Sequence, residues 1–570
     1  MQMKRINFTA FRIPLTPGWL FGHIETSKTA RKNFSTLGKF LTWGSPDRRC
    51  FSRKIRPEGM QTMEVLLAGH NVDYDIIREI AAEHPERQDL TPETVAAAYA
   101  RISRNPRPVN ELRTLARGEV EKARASNRNI VFEMGHSSIA EHAVFNLDIL
   151  KVSRLLVEEI EKFRLASYTE KSQRYVLFKD DFVIPAEVRK AGLEETFTAT
   201  VRAQNRCYHE LYERLRPYVF AQNPELAADP ANTLLLEGWA KEDARYIIPL
   251  ATETQLGMTV NARNLELMIR RLAACPMSEA QEYSRRLYDA TQRVAPSLVR
   301  YTEPTAYDLE TKKGLRAQAA RIIAKIQANS PRDTLKTDTG MTDGEAAGQG
   351  KTDRFVRLID ATQDADEKVA AALLHSGSHL PLAHCREIAA RMDRAGKEAL
   401  IKTALRRMKA YDAAPREFEQ VGLLFELTIS ATCFAQAKRH RMASITVQDY
   451  DPALGVTIPP AVVAIGMEKP FQEICTRTEE TWDQIRRAAP EAAAYILTNA
   501  HRRRVAMRVS ARELYHLARV RADRHAQWDI RETAAEMVAE GRKVMPLTLL
   551  LAAGKDGFDD LYARIFAGEG

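Results

Sequence analysis

The sequence predicts a helix-rich α+β chain made of two bodies that resemble each other. Apolar residues recur at the helical period of about 3.6 residues over most of the chain, as in residues 76–82. Residues 144–149 alternate between apolar and polar side chains, which is typical of a strand. The pattern R-[LM]-A-S-x-T occurs at residues 164–169 and again at residues 441–446, which indicates an internal duplication.

Local signals define individual helices within this outline. Thr91 has the side chain of a helix N-cap, and Pro92 suits the first helical position. Glu93 then places a negative charge near the positive end of the helix dipole. A second helix is predicted over residues 155–163, where the helical period returns after the strand.

Two further pairs of segments flank the repeated motif in the same order. Residues 141–142 are matched with residues 383–384 upstream, and residues 261–265 with residues 510–514 downstream. The separations within the pairs differ, so we expect insertions in loops since the duplication.

Composition divides the chain into four segments. Residues 1–62 form a basic extension with little periodicity, interpreted as disordered or as the product of a wrong start, with a targeting segment as the alternative. Residues 63–328 form the first body, here called the first copy. Residues 329–353 are polar and are interpreted as a linker. Residues 354–570 form the second copy.

Charge and cysteine usage exclude several classes of protein. Residues 1–59 hold 12 Lys and Arg residues against 3 acidic residues, which accounts for the whole net charge of +9. The neutral remainder argues against nucleic acid as a partner, and only a binder that uses the basic extension stays open. No apolar stretch approaches the roughly 18 residues of a membrane span. The six cysteines form no C-x-x-C pair, so we expect no metal site and a reducing, cytoplasmic location.

The tripeptide Arg-His-Arg at residues 439–441 is the first sign of chemistry. Guanidinium groups bind phosphate and carboxylate through paired N–H donors. By itself the tripeptide is also compatible with a solvated basic surface, and Ser-Gln-Arg at residues 172–174 is equally weak alone. The arginine run at residues 502–504 is interpreted as a solvated helix face.

Together these residues resemble the signature of the flavin-dependent thymidylate synthases, R-H-R followed by a Ser and an Arg. Residues 439–441 with Ser444 supply one half of it, and residues 164–175 supply the other. Further stretches of the family are matched at residues 135–142, 243–250, 259–263 and 521–531. The resemblance covers most of residues 90–550 and implies two family domains in tandem, each with a small sheet.

The resemblance implies an activity and a set of ligands. Members of the family methylate dUMP to dTMP with FAD as cofactor and with NADPH and methylenetetrahydrofolate as co-substrates. They are homotetramers with active sites between subunits. For this double-length chain we therefore expect a homodimer that forms a pseudo-tetramer, with small-molecule partners and neither nucleic acid nor membrane.

Site residues follow from the matched motifs. The residues expected to bind dUMP are Glu170, Ser172, Arg174, Arg245, Gln436 and Arg439. The expected catalytic residues are Arg521, which would stabilise the N3-deprotonated uracil, and Ser172. The residues expected to bind FAD are His136, Ser138, Glu141, Asn261, Arg263, Arg439, His440, Arg441 and His525.

The two copies depart from the family pattern in opposite places. The first copy has Lys-Phe-Arg at residues 162–164 in place of R-H-R, and Leu272 in place of the activating arginine. The second copy has Asp449 and Asp451 in its nucleotide loop, and Ala494 stands where the first copy has an arginine. We expect one composite site per chain and a dead reciprocal location, where like charge would exclude a phosphate.

The second copy also lacks an intact G-H-x-x-x-x-E-H segment, for which residues 378–384 are the expected remnant. Two alternatives to the methylation of dUMP stay open. One is a degenerate duplicate that binds flavin or nucleotide without turnover. The other is flavin-dependent modification of a different pyrimidine nucleotide.

Overall fold

A computed structural model describes residues 63–70, 91–102, 105–178, 180–329 and 355–567. The basic extension, the helix expected near residues 76–82 and nearly all of the polar linker lie outside these residues. Residues 61–570 form one compact unit. Among the described residues no helix combines the length and the apolar character needed to cross a bilayer.

Each copy contains a four-stranded antiparallel sheet. The strands of the first copy are β1 (Glu64–His70), β2 (Val144–Ser153), β3 (Ala166–Glu170) and β4 (Glu253–Asn261). Those of the second copy are β5 (Phe355–Ala361), β6 (Gly422–Ser430), β7 (Ser444–Val447) and β8 (Arg502–Ser510). The order β1-β2-β4-β3 in one sheet is the order β5-β6-β8-β7 in the other. The predicted helix-rich α+β fold with one small sheet in each copy is confirmed.

Helices cover the sheets and connect their strands. The first copy has α1 (Glu93–Arg101), α2 (Val109–Gly118), α3 (Val120–Arg128), α4 (Arg154–Ile160), α5 (Ala186–Lys190), α6 (Glu194–Gln222), α7 (Pro224–Ala227), α8 (Thr233–Ala244), α9 (Ala262–Ala273), α10 (Ser278–Thr291) and α11 (Ala306–Asn329). The second copy has α12 (Ala365–Ser376), α13 (Leu382–Arg391), α14 (Arg394–Leu405), α15 (Ala431–Ala437), α16 (Pro460–Ala464), α17 (Glu468–Ala488), α18 (Ala511–Arg521), α19 (Trp528–Val544) and α20 (Phe558–Ile565). Each sheet packs its apolar face into a hydrophobic core, and the core behind the first sheet also contains residues of the second copy, among them Tyr450, Ile485 and Tyr495.

The local signals of the sequence are mostly confirmed. Helix α1 begins at Glu93 with Pro92 as its N-cap, one residue later than predicted, and the Glu93 backbone N–H donates to the Thr91 hydroxyl at 3.2 Å. The strand predicted at residues 144–149 is part of β2, and the helix predicted after it is α4. The arginine run at residues 502–504 is not a helix face, because it begins strand β8. Alternation along that strand turns Arg503 inward, where it is buried.

The repeated motif occupies equivalent positions in the two sheets, at the start of β3 and of β7. Asn261 and Ser510 are also equivalent, since each ends a strand and accepts a hydrogen bond from the first turn of the next helix. The third match is wrong. Residue 384 lies within α13, whereas His142 ends a 3-10 turn before β2.

The true counterpart of the segment around Glu141 is the 3-10 turn Arg416–Gln420. A pair of salt bridges establishes the equivalence. Arg263 contacts Glu141 at 2.5 Å in the first copy, and Arg512 contacts Glu419 at 2.7 Å in the second. The match of residues 141–142 with residues 383–384 failed because it rested on one shared histidine. A single histidine occurs in both a helix and a 3-10 turn, so it does not identify an equivalent position.

The two copies meet along a seam with approximate two-fold symmetry. The backbone N–H groups of Leu250 and Asn499 donate to the carbonyls of Leu497 and Ile248, at 2.8 and 3.0 Å. Two buried tyrosines repeat the relationship. Tyr246 of the first copy donates to Asp529 of the second at 2.8 Å, and Tyr495 of the second copy donates to Glu279 of the first at 2.7 Å.

Candidate functional site

Four arginines from the two copies lie together beside this seam. They are Arg174, Arg245, Arg439 and Arg521, here called the arginine cluster. Arg439 of the second copy lies 3.8 Å from the Glu170 carboxylate of the first. Burial, together with the positive charges of Arg439 and Arg174, lowers the pKa of Arg521 to about 10. The side chains expected to form a composite site are therefore neighbours.

The first copy contributes a loop and a helix end. Glu170 is the last residue of β3, and the nucleotide loop follows it directly. The Ser172 hydroxyl accepts a hydrogen bond from the backbone N–H of Arg174 at 3.2 Å, which fixes the turn. Arg245 begins the short 3-10 helix after α8 and is buried.

The second copy contributes residues from two helices. Gln436 lies on α15, and Arg439 follows the end of that helix. Arg521 is the last residue of α18, and its Nη1 donates to the Gln436 side-chain oxygen at 3.4 Å. Gln436 in turn donates to Gln527 at 3.3 Å. These contacts orient the Arg521 guanidinium from the protein side.

Glu170 is the carboxylate at the centre of the cluster. Its side chain is 3% exposed and accepts hydrogen bonds from Arg154 and, at 3.2 Å, from Thr254. Burial would raise the pKa of Glu170, but the charges of Arg154, Lys438 and Arg439 hold it below its ordinary value. Glu170 is therefore an ionised anchor that holds arginines in place.

Glu242 plays a similar part on the first-copy side. It lies 3.7 Å from Arg174 and 3.9 Å from Arg245, which are loose ion pairs. Burial raises the pKa of Glu242 above its usual range, against the opposing effect of the two arginines. Burial also lowers the pKa of Arg245, and Arg174 and Arg154 add to that effect. The local excess of buried positive charge fits an anionic ligand such as a phosphate.

Several buried polar atoms around the cluster have no hydrogen-bond partner among the residues that the structure describes. They are Arg154 Nε, Gln173 Nε2, Glu242 Oε1 and Asn499 Oδ1. Gln173 and Asn499 come from opposite copies and share a hydrogen bond of 3.2 Å. Because buried donors and acceptors are nearly always paired, these atoms indicate room for a polar ligand or water. None of these four residues is among the site residues predicted from the sequence. They are found only because their polar atoms are buried in the structure.

Two adjoining grooves extend from the cluster. One, of about 370 Å³, is lined by Glu170, Lys438, Arg439 and Arg441 among others. The next, of about 360 Å³, is lined by Arg441, Asn261 and Glu141 among others. Ala166 and Arg441 line both grooves, so the two lie side by side. Cationic donors beside an amide suit a cofactor that carries phosphates and a polar ring, so these residues fit FAD.

The remaining flavin-side residues lie elsewhere. His136, Ser138 and Arg263 are exposed and do not line either groove. The His525 ring is 74% exposed and pairs with Asp523 at 2.7 Å. His440 is buried, and both of its ring nitrogens contact protein groups.

The reciprocal location is filled by protein side chains. Where the composite site has Gln173, Thr254 and Ala435, the equivalent positions hold Tyr450, Arg503 and Glu158. Tyr450 and Arg503 both donate to the Glu158 carboxylate, at 2.7 and 3.0 Å. The Arg503 guanidinium also lies over the Tyr450 ring at 4.3 Å. Tyr450, Arg503 and Glu158 are each larger than the equivalent residue beside the arginine cluster. They fill the space at the reciprocal location that the smaller side chains leave open beside the cluster.

The two aspartates of the second copy do not face this filled location as a pair. Asp449 is 75% exposed and contacts Arg316 at 2.5 Å. Asp451 accepts a hydrogen bond from the backbone N–H of Ala453 at 3.0 Å. The buried side chains of Tyr450, Arg503 and Glu158, rather than the two aspartates, occupy this location.

Comparison with known proteins agrees with this duplicated architecture. The family model of the thymidylate synthase complementing protein matches residues 87–297 and 357–547. A UPF0159 protein from Chlamydia muridarum is 24% identical over 438 residues, which is 74% of this chain and 79% of that protein. A UPF0159 protein from Thermoplasma acidophilum is 25% identical over 471 residues, 75% of this chain and 88% of that protein.

A shorter relative carries a functional name. A flavin-dependent thymidylate synthase from Clostridium tetani is 29% identical over 227 residues, which is 39% of this chain and 87% of that protein. The family model matches twice and covers more than half of the chain. The first match contains strands β2, β3 and β4 in full, and the second contains the equivalent strands β6, β8 and β7. The chain therefore belongs to the thymidylate synthase complementing protein family, the flavin-dependent thymidylate synthases, as a tandem duplication of the family domain.

Proposed function

We propose that this protein methylates dUMP to dTMP, with FAD as cofactor and with NADPH and methylenetetrahydrofolate as co-substrates, at one composite site per chain. The observation that carries the proposal is the meeting of Arg174 and Arg245 with Arg439 and Arg521 beside the seam. Each copy alone lacks half of this set. Loss by random decay would not leave complementary halves in contact.

The roles of the residues follow from charge and burial. Arg174 and Arg245 bind the nucleotide phosphate, since among the described residues the only carboxylate that forms an ion pair with either is the loosely paired Glu242. Ser172 shapes the loop and offers its hydroxyl to the nucleotide, while Glu170 and Gln436 hold the arginines in place. Arg439 lies between the nucleotide side and the first groove.

Arg521 acts on the pyrimidine ring. Its side chain is largely buried, and a guanidinium in a site of low polarity stabilises developing negative charge more strongly than it would in water. It thus favours the N3-deprotonated uracil. When bound, FAD supplies the hydride and one-carbon transfer chemistry of the family.

The flavin side is proposed to be completed by a second chain. The grooves bring Glu141, Asn261 and Arg441 together within one chain. His136, Ser138, Arg263 and His525 remain exposed to solvent, where another molecule could cover them. A homodimer that forms a pseudo-tetramer would place these side chains against the cofactor.

The proposal is tested first by turnover. Purified protein should be yellow, should release dTMP from dUMP in the presence of the two co-substrates, and should relieve the growth requirement of a thymidine-dependent bacterium. Calorimetric titration with dUMP should give one site per chain, and two equal sites would contradict the composite arrangement. Binding of flavin and dUMP without product would instead favour the non-catalytic alternative.

The identity of the base needs its own control. Titration with dCMP and UMP beside dUMP separates recognition of the phosphate from recognition of the uracil ring and the sugar. Product from another pyrimidine nucleotide, with none from dUMP, would favour the alternative enzyme and reject the proposed substrate.

A further inference from the structure

A chain of three side chains leads from the interior of the second copy to the arginine cluster. The His440 Nδ1 lies 3.1 Å from the Glu513 carboxylate, and its Nε2 lies 3.2 Å from the Nε of Arg521. The His440 side chain is 2% exposed and that of Glu513 is 7% exposed. Both contacts are therefore shielded from water, which strengthens them.

Hydrogen-bond chemistry fixes the protonation of the imidazole. The Nε of an arginine carries a hydrogen and can only donate, so the His440 Nε2 must accept. The proton of the neutral ring then sits on Nδ1, where it donates to Glu513. Only one tautomer satisfies both neighbours.

The helix geometry explains why the imidazole is needed. Glu513 lies in the first turn of α18 and Arg521 at its last residue, eight positions apart, or about 12 Å along the axis. The two side chains cannot meet directly over that distance. His440, from the segment after α15, bridges them and ties both ends of α18 to the second-copy motif.

The charged surroundings favour a neutral ring. Burial lowers the pKa of His440, and the positive charge of Arg521 and the nearby His516, whose ring is 5.6 Å away, lower it further. The Glu513 carboxylate opposes them. Arg439 and Arg441 flank His440 in sequence and add positive charge nearby.

The first copy provides an internal comparison. The positions equivalent to Glu513, His440 and Arg521 hold Asn264, Phe163 and Leu272. Asn264 donates to Asn261 instead of continuing a chain. The second copy thus has all three members of the contact chain, and the first copy has none of them.

We propose that Glu513 and His440 are positioning residues that hold the Arg521 guanidinium toward the pyrimidine ring, and that both ring nitrogens of His440 serve these contacts rather than FAD. Glu513 keeps the proton on Nδ1, and the free Nε2 lone pair sets the orientation of Arg521. The catalytic consequence rests on the proposed function, whereas the tautomer and the contacts do not.

The test compares Glu513→Gln and Glu513→Ala with the parent protein. We expect kcat to fall on the order of 10- to 100-fold, because misplacing a catalytic group by about 1 Å has an effect of that size, with a much smaller change in KM for dUMP. Loss of the carboxylate lowers the pKa of His440 further, so the acidic limb of the pH profile should move to lower pH. Glutamine should retain more activity than alanine, because its side-chain oxygen can still accept from Nδ1.

Glu419→Gln is the matched control. Glu419 also pairs with an arginine at the start of α18 but contacts neither His440 nor Arg521. It should leave kcat and the pH profile unchanged. Thermal unfolding of all variants separates loss of orientation from loss of fold.

A spectroscopic readout works even without turnover. Protein labelled with ¹⁵N-histidine, with the signal assigned by His440→Gln, should show a neutral ring protonated at Nδ1 at pH 7. A ring protonated at Nε2, or an active Glu513→Gln variant with parental kcat and pH profile, would overturn the inference. An inactive parent protein with the expected tautomer would reject the proposed function but leave the contact chain intact.

Discussion

Arg164 and Arg441, 277 residues apart, each donate hydrogen bonds to the backbone next to the other. Arg164 reaches the carbonyl of Ala443 at 3.1 Å, and Arg441 reaches that of Ala166 at 2.8 Å. The same motif is thus used twice across one approximate two-fold axis. An exchange of this kind fixes β3 and β7 relative to each other, and so brings the nucleotide loop of one copy to the arginines of the other.

This exchange predicts a measurable share of stability. Arg164→Ala should lower the free energy of unfolding by about 1 kcal/mol, because two hydrogen bonds from a charged group to carbonyls are lost. Urea denaturation followed by circular dichroism measures the change. Arg214→Ala is the control, since its pair with Glu210 lies on one helix surface. Equal changes in the free energy of unfolding would mean that Arg164 stabilises the protein no more than a surface ion pair does.

Arg521→Ala should abolish most of the activity without loss of fold. Removing a buried donor that stabilises developing negative charge typically reduces kcat by about 10²- to 10³-fold. Arg508→Ala is the control, because Arg508 is half exposed and, in the part of the chain that the structure describes, forms an ion pair only with Asp360, at 3.3 Å. dTMP formation measured by chromatography decides the matter. Retention of parental kcat by Arg521→Ala would remove Arg521 from the catalytic set.

Sequence patterns predicted the features that repeat. The R-[LM]-A-S-x-T motif identified the duplication, because duplicated strands must bury the same face twice. The complementary losses at Leu272 and Asp451 indicated a composite site before any distance was known. The run at residues 502–504 was misassigned, because three consecutive arginines hide the alternation of a strand.

Long-range partners could not be predicted in the same way. Tyr450 and Arg503 meet Glu158 across 292 and 345 residues, and no local period relates these positions. The same holds for Glu513 and His440, which are 73 residues apart. Such contacts depend on tertiary packing between the copies or within one copy, and no short stretch of sequence encodes it.

Glu158→Ala tests how the reciprocal location is closed. It leaves the buried Arg503 without its carboxylate, so the free energy of unfolding should fall by about 3 kcal/mol. dUMP stoichiometry should stay at one per chain, because Tyr450 still fills the space. Glu159→Ala, which removes a more exposed carboxylate from the same helix, should change stability far less. A second nucleotide site in Glu158→Ala would show that charge alone had closed the location.

Asp243→Asn tests the pH dependence of stability. Burial raises the pKa of Asp243 to about 7, and the charge of Glu242 adds to it, although the Trp528 indole donates to the carboxylate at 2.7 Å. In the unfolded chain the same carboxyl ionises near pH 4, at about its reference value.

Between about pH 4 and pH 7 the folded protein therefore keeps a proton that the unfolded chain has lost. The free energy of unfolding should fall as the pH rises through this window and level off above it. Asparagine keeps the acceptor for Trp528 and cannot ionise, so Asp243→Asn should be the more stable protein at pH 8 by roughly 2 to 4 kcal/mol. Urea denaturation at pH 5, 6.5 and 8 checks this, with the exposed Asp289→Asn as control. Parallel pH profiles for Asp243→Asn and the parent protein would mean that Asp243 is already ionised in the folded state at pH 5.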